Sequence, residues 1–198
     1  MIAPATLALL LQACAPTVNA QTQAALVTVE SDATVFAVHD NNTARSYFPR
    51  TYGEAVPLVE KLFREDAQRF GARKAGIDVG IAQIDSDNFA QYGLTPEIAL
   101  DPCMNLRVGS MMLTSLYGQE YAALAGEPDV ARKQHALSRA LQRYNSGKPT
   151  GDQKYVAAIL MAAGQQYVRA ATAYETPIAE SPAIKIPRRR PLSIRGVR

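Results

Sequence analysis

Between Ala20 and Val29 this 198-residue chain carries Ala24, Ala25, Leu26, Val27 and Val29, aliphatic residues that reach every face of a helical turn. A helix with no solvent side must sit inside the fold, so the rest of the chain has to wrap around it. Asn19 offers its side chain as the N-cap, and the run closes on Glu30 and Ser31. A carboxyl at the end of a buried helix loses water, which disfavours its charged form and raises its pKa. General acid cleavage of a glycosidic bond needs a carboxylic acid that keeps its proton near neutrality. Glu30 is therefore the first candidate for chemistry.

Helical periodicity dominates the remainder. Met1 to Cys14 reads as a first core helix: no Lys or Arg precedes its apolar run, so a secretory leader lacks its charged start, and the run is too short to span a bilayer. Ser31 to Tyr47 is polar and reads as a loop with at most a short strand near Thr34 to Val38. Thr51 and Glu54 have capping-box spacing before a helix through Val59, Leu62, Phe63 and Phe70. Pro57 implies that this helix starts nearer the proline or kinks there. Gly71 to Gly76 reads as a basic loop, and Ile77 to Ile84 as a strand. Asp101-Pro102 opens a helix through Leu106, Gly109, Leu113 and Leu116. Glu127-Pro128-Asp129 opens another, with Leu137, Ala140, Leu141 and Tyr144 on one stripe and Gly147 at its end. Asp152 to Thr172 forms the last. Repeated helices around a small strand region indicate an α+β, mainly α domain over residues 1–173.

Residues 174–198 form a Pro/Arg-rich extension with six basic residues against two acidic ones, and its four prolines read as a disordered tail. Removing it leaves a nearly neutral body, which argues against nucleic-acid binding, since phosphate contacts need clustered Lys and Arg. Two cysteines and two histidines, His39 and His135, give no metal-ligand spacing, so neither metal nor cofactor is expected. Cys14 and Cys103 are either two free thiols or a disulfide suited to an oxidising compartment, where closing so long a loop is worth about 4 to 5 kcal/mol.

Two further segments bear on Glu30. In Gly80-Ile81-Ala82-Gln83-Ile84, glycine permits close backbone approach and Gln83 offers a donor and an acceptor to a sugar hydroxyl or amide. In Tyr144-Asn145-Ser146-Gly147, the Tyr144 ring suits a sugar-stacking wall or a core position, and Asn145 suits a ligand contact or a helix C-cap. Taken in order, Cys14-Ala15-Pro16, Val29-Glu30-Ser31, Val79 to Ile84, Tyr92-Gly93-Leu94-Thr95, Asp101-Pro102-Cys103 with Asn105-Leu106, and Tyr144 to Gly147 make a pattern. It resembles the lytic transglycosylase domain related to goose-type lysozyme, and more narrowly the small transglycosylases of type IV secretion and conjugation machinery.

That resemblance covers roughly residues 5 to 165. It implies a lysozyme-like fold with a small antiparallel strand region beside the catalytic helix. It implies Glu30 as catalytic acid and base, Ser31, Gln83, Tyr144 and Asn145 as substrate-binding residues, and a disulfide between Cys14 and Cys103. The implied substrate is the peptidoglycan glycan strand, cut between N-acetylmuramic acid and N-acetylglucosamine to leave a 1,6-anhydromuramyl end. The implied setting is the periplasm, beside type IV secretion components, with the chain as a monomer. Two departures stand out: Asp32 follows Glu30-Ser31 where many relatives carry glycine, and Ala37 to Asp40 lacks the substrate-holding serine of many relatives, leaving His39 as a polar substitute. A hydrolytic lysozyme would need a second carboxylate, for which Asp40, Asp78 and Asp85 are the candidates. A non-catalytic wall-binding assembly factor would need none.

Overall fold

The computed structural model describes residues 1–71 and 76–172, with side chains described to residue 165. Most of the Gly71 to Gly76 loop and all of the proline-rich extension therefore lie outside the described residues. Eight α-helices and four short strands make up the described part: α1 (Pro4–Cys14), α2 (Ala20–Ser31), β1 (Val38–Asp40), β2 (Arg45–Tyr47), α3 (Tyr52–Phe70), β3 (Ile77–Val79), β4 (Ile84–Asp85), α4 (Phe89–Tyr92), α5 (Pro96–Ala99), α6 (Pro102–Ala123), α7 (Asp129–Ser146) and α8 (Gln153–Thr172). A 3₁₀ turn, Ser86–Asn88, links β4 to α4.

The α2 helix occupies the centre that its composition demands. Ala25, Leu26 and Val27 are inaccessible to solvent, and α2 packs against α1 and, most extensively, α8. The Gln21 amide donates to Asn19 Oδ1 at 2.9 Å, which satisfies an orphan donor of the first turn. The helix stops because Asp32 and Ala33 both take left-handed backbone angles, φ 53° and 51°, turning their amides back to Thr28 O and Val27 O. Glu30 is thereby fixed in the last turn. Asp32 stands where glycine would adopt this conformation without steric cost.

Other helix starts follow their capping chemistry. Glu54 N donates to Thr51 Oγ1 at 3.2 Å, while the Glu54 carboxylate accepts from Arg50 N at 2.8 Å. Of the two expectations from Pro57, the later start does not hold: α3 starts at Tyr52 and continues past the proline to Phe70. Pro57 is exposed, so the carbonyl it fails to pair can be met by water. Asp101 caps α6 through Met104 N at 2.7 Å.

The four strands form one antiparallel sheet in the order β2-β1-β3-β4. Val38 pairs with both Tyr47 and Val79, and Val79 pairs with Ile84. These residues share a face, and the next rung, Ser46, His39, Asp78 and Asp85, points the opposite way. The sheet departs from expectation twice. The strand sought at Thr34 to Val38 begins only at Val38 and pairs with an unforeseen β2. The strand sought over Ile77 to Ile84 is broken by a tight turn at residues 80–83.

Cys14, at the end of α1, and Cys103, in the first turn of α6, are joined as a disulfide with Cα atoms 5.1 Å apart and a sequence separation of 89. No helix among the described residues is long and apolar enough to cross a membrane. Replacing Cys14 and Cys103 together by serine is expected to lower unfolding free energy by about 4 kcal/mol, the chain-entropy value for such a loop. Urea midpoints of wild type with and without reductant check this, because reductant should move the wild type and leave the variant unmoved.

Candidate active site

The site is organised by the turn at residues 80–83. Gly80 and Gln83 both have positive φ, 82° and 48°, so the chain reverses sharply between β3 and β4. A Cβ on Gly80 would collide with the Asn105 side-chain amide, so only glycine fits. Each carbonyl from Val79 to Ala82 is taken by a named side chain. Asn105 Nδ2 donates to Val79 O at 2.8 Å, and Gln83 Nε2 to Gly80 O at 2.7 Å. The Ser31 hydroxyl donates to Ile81 O at 2.7 Å, and the Tyr144 hydroxyl to Ala82 O at 2.9 Å. Asn105 also accepts from Ala82 N at 2.7 Å and donates to Ala99 O at 2.8 Å, and Gln83 Nε2 reaches Ala37 O at 3.0 Å. In this way α2, α6 and α7 hold one turn through Ser31, Asn105 and Tyr144. Gly109 allows α6 to come this close, since a Cβ there would lie 2.9 Å from Ala82 Cβ and 3.0 Å from the Tyr144 hydroxyl.

These contacts occupy polar groups of several expected site residues. Ser31 and Tyr144 use their hydroxyls on the turn. The Tyr144 ring is fully buried, so it has no face for a sugar to stack on, and its phenol pKa is pushed well up by burial and then by Glu30. Gln83 is buried with its amide nitrogen engaged, while its Oε1 has no partner among the described residues. Asn145 is inside α7 rather than at its cap, which falls to Gly147 with φ 72°, and Asn145 Oδ1 is also buried without a partner among the described residues. His39 belongs to β1 rather than to an exposed loop, and its Nδ1 lies 2.9 Å from Ser46 Oγ.

Glu30 is 4% exposed. Burial pushes its pKa from the ordinary 4.5 up to about 8, against the opposing effect of a hydrogen bond from the Tyr155 hydroxyl to Glu30 Oε1. Tyr155 opens the α8 stripe that continues through Ile159 and Ala162, all buried. The sequence pattern includes Asn105 without giving it a role at the site, and Tyr155 lies outside that pattern. For Tyr155 the available signal was a hydroxyl at the head of an apolar stripe, which must find a partner when buried. For Asn105 it was an amide on the face that α6 turns inward beside Leu106 and Gly109.

The possible second carboxylates all have structural partners. Asp40 accepts from Asn42 N and Thr43 N at 2.9 and 3.1 Å and from the Thr43 hydroxyl at 2.5 Å, which closes the β1–β2 hairpin. Asp85 accepts from Asp87 N at 2.7 Å and caps the 3₁₀ turn. Asp78 accepts from Asn41 Nδ2 at 3.0 Å, and its pKa is raised well above the usual carboxylate range by burial, then by Asp85, with a smaller contribution from Glu30. Among the described residues no group of three His, Cys, Asp or Glu side chains could hold a metal ion.

Residues 10–157 match the family described as Transglycosylase SLT domain. The chain belongs to that family. Within it, the chain is 38% identical over 134 residues to the protein virB1 of Rhizobium radiobacter, covering 68% of this chain and 50% of the relative. It is 34% identical over 142 residues to the type IV secretion system protein virB1 of Brucella abortus, covering 72% of this chain and 54% of the relative. This SLT domain chain therefore spans about half the length of the curated relatives it matches, and no solved structure matches it.

Two measurements check the site's energetics. Asn105→Ala would orphan three buried backbone groups and is expected to cost about 3 kcal/mol or more in urea unfolding. The folded protein holds the Glu30 proton between pH 4.5 and 8, whereas the unfolded chain releases it, so this group's contribution to stability falls as pH rises through that window. Glu30→Gln has no proton to lose. Its stability relative to wild type should climb by a few kcal/mol from pH 4.5 to 8 and then level off.

Proposed function

We propose that this chain is a peptidoglycan lytic transglycosylase in which Glu30 is the sole catalytic carboxyl. The observation that carries the reading is a buried Glu30 whose pKa stands near 8, so that it enters the reaction protonated at neutral pH. Glu30 donates its proton to the glycosidic oxygen between N-acetylmuramic acid and N-acetylglucosamine as that bond breaks. The resulting carboxylate then takes the proton of the muramyl C6 hydroxyl as that oxygen bonds to the anomeric carbon. The product ends in a 1,6-anhydromuramyl residue, Glu30 regains its proton, and no water is consumed.

A water-activating base would have to be a second, ionised carboxylate on the opposite side of the sugar. Asp40 and Asp85 are engaged in backbone capping, and Asp78 is driven toward its neutral form by burial and by Asp85. This supports intramolecular attack over hydrolysis. Gln83 Oε1 and Asn145 Oδ1 are buried acceptors without partners among the described residues, and such groups gain by meeting a donor, here sugar hydroxyl or acetamido hydrogens. Ser31 and Tyr144 contribute by fixing the turn that carries Gln83. The disulfide suits the periplasm, and the names of the virB1 relatives support work beside a type IV secretion apparatus, where local opening of the wall lets the apparatus pass.

Purified protein acting on isolated peptidoglycan tests the reading by mass analysis of released fragments. Anhydro-muropeptides are expected, each one water lighter than the hydrolytic product, and Glu30→Gln is expected to lose activity by about 10²- to 10⁴-fold or more. Water-added fragments would make the protein a lysozyme. If wild type and Glu30→Gln bind the wall equally and neither releases fragments, the chain is a binding factor. Activity should decline as pH rises through about 8. In Tyr155→Phe that alkaline limb should move higher, because the lost hydrogen bond is the one that favours the carboxylate.

A further inference from the structure

A sugar polymer needs apolar faces to lie on, and the residue expected to supply one, Tyr144, is buried. Exposed aromatic rings occur elsewhere, on the connection from β2 to α3. Phe48 is 60% exposed and Tyr52 is 45% exposed. Tyr52 meets the partly buried Phe36 edge to face, with ring centroids 6.3 Å apart and planes at 65°. The Tyr52 hydroxyl donates to Glu97 O in α5 at 3.3 Å, which fixes its ring between α3 and α5. Phe36 directly precedes Ala37, whose carbonyl accepts from both Gly80 N at 2.8 Å and Gln83 Nε2 at 3.0 Å. Phe48 directly follows Tyr47, which pairs with Val38, the residue after Ala37. All three aromatics therefore lie within a residue or two, in sequence or by contact, of the backbone that holds the Gln83 turn.

We propose that Phe36, Phe48 and Tyr52 form an aromatic shelf on which a pyranose ring of the glycan strand stacks beside the Gln83 turn. The C–H face of a pyranose is apolar, and an aromatic ring covers it without needing to satisfy its hydroxyls, which remain free at the ring edge. Tyr52 and Phe48 keep large apolar surfaces in water, and stacking removes that surface from solvent. The shelf acts in substrate positioning at a distance from the bond being broken, so it affects affinity for a strand rather than proton transfer at Glu30. This inference rests on the glycan-cleaving reading of the site.

Soluble uncrosslinked glycan strands test it. Tyr52→Ala and Phe48→Ala should each raise KM by about three- to tenfold with kcat within twofold of wild type, a split that general loss of folding would not produce. The chain has no tryptophan, so Tyr52→Trp in a Glu30→Gln background places a single indole on the shelf without turnover. Its fluorescence should shift saturably as strands are added. Unmoved fluorescence, or a KM within twofold of wild type for Tyr52→Ala, overturns the shelf while leaving the proposed cleavage standing. A saturable shift in a protein whose wild type releases no fragments would instead keep the shelf and remove the catalytic reading.

Discussion

Four consecutive carbonyls, from Val79 to Ala82, each accept a hydrogen bond from a different side chain, and the site depends on that turn staying where it is. A turn with two left-handed residues inside a protein exposes backbone groups that no strand or helix can pair. Water cannot satisfy them at near-zero accessibility, so each needs a dedicated donor. Three of those donors come from the end of α2, the start of α6 and the end of α7, and the fourth, Gln83, from the turn itself. The three helices are thereby registered against one another at the place where Glu30 emerges. Packing alone would fill this volume; the directional bonds determine how the helices meet in it.

The same arrangement controls the electrostatics. The apolar wall of α2 and the pinned turn keep water from Glu30, and the Tyr155 hydroxyl is its hydrogen-bond donor. Burial outweighs that bond, leaving the carboxyl protonated at neutrality. Asp78, on the neighbouring sheet rung, is pushed the same way by burial and by Asp85. Burial thus disfavours the charged form of both carboxyls.

Much of this was legible in the sequence. The all-round apolar run before Glu30 had one physical solution, a central helix, and the caps at Asn19, Thr51 and Asp101 formed as their chemistry dictates. The ordered motifs from Cys14 to Gly147 indicated the family to which the chain belongs. The short strands were less visible, because three-residue segments such as Val38–Asp40 and Arg45–Tyr47 are too brief to establish an alternation and are polar besides. Gly80 was read as a place of close approach, but the turn around it was missed because Ile81, Ala82 and Ile84 look like continuous strand. The roles of Ser31 and Tyr144 could not be assigned from spacing, since a hydroxyl aimed at a ligand and one aimed at a buried carbonyl leave the same mark in a sequence. Tyr155 sits 125 residues from its partner Glu30, a distance that only the docking of α8 on α2 closes.

Glu30 holds its proton because the fold denies it water. Carbon-detected NMR of protein labelled at the glutamate side-chain carboxyl, with Glu30 assigned by the Glu30→Gln spectrum, measures that directly across a pH titration. A midpoint near 8 is the predicted result. A midpoint near 4.5, the value of a solvated glutamate, would contradict it.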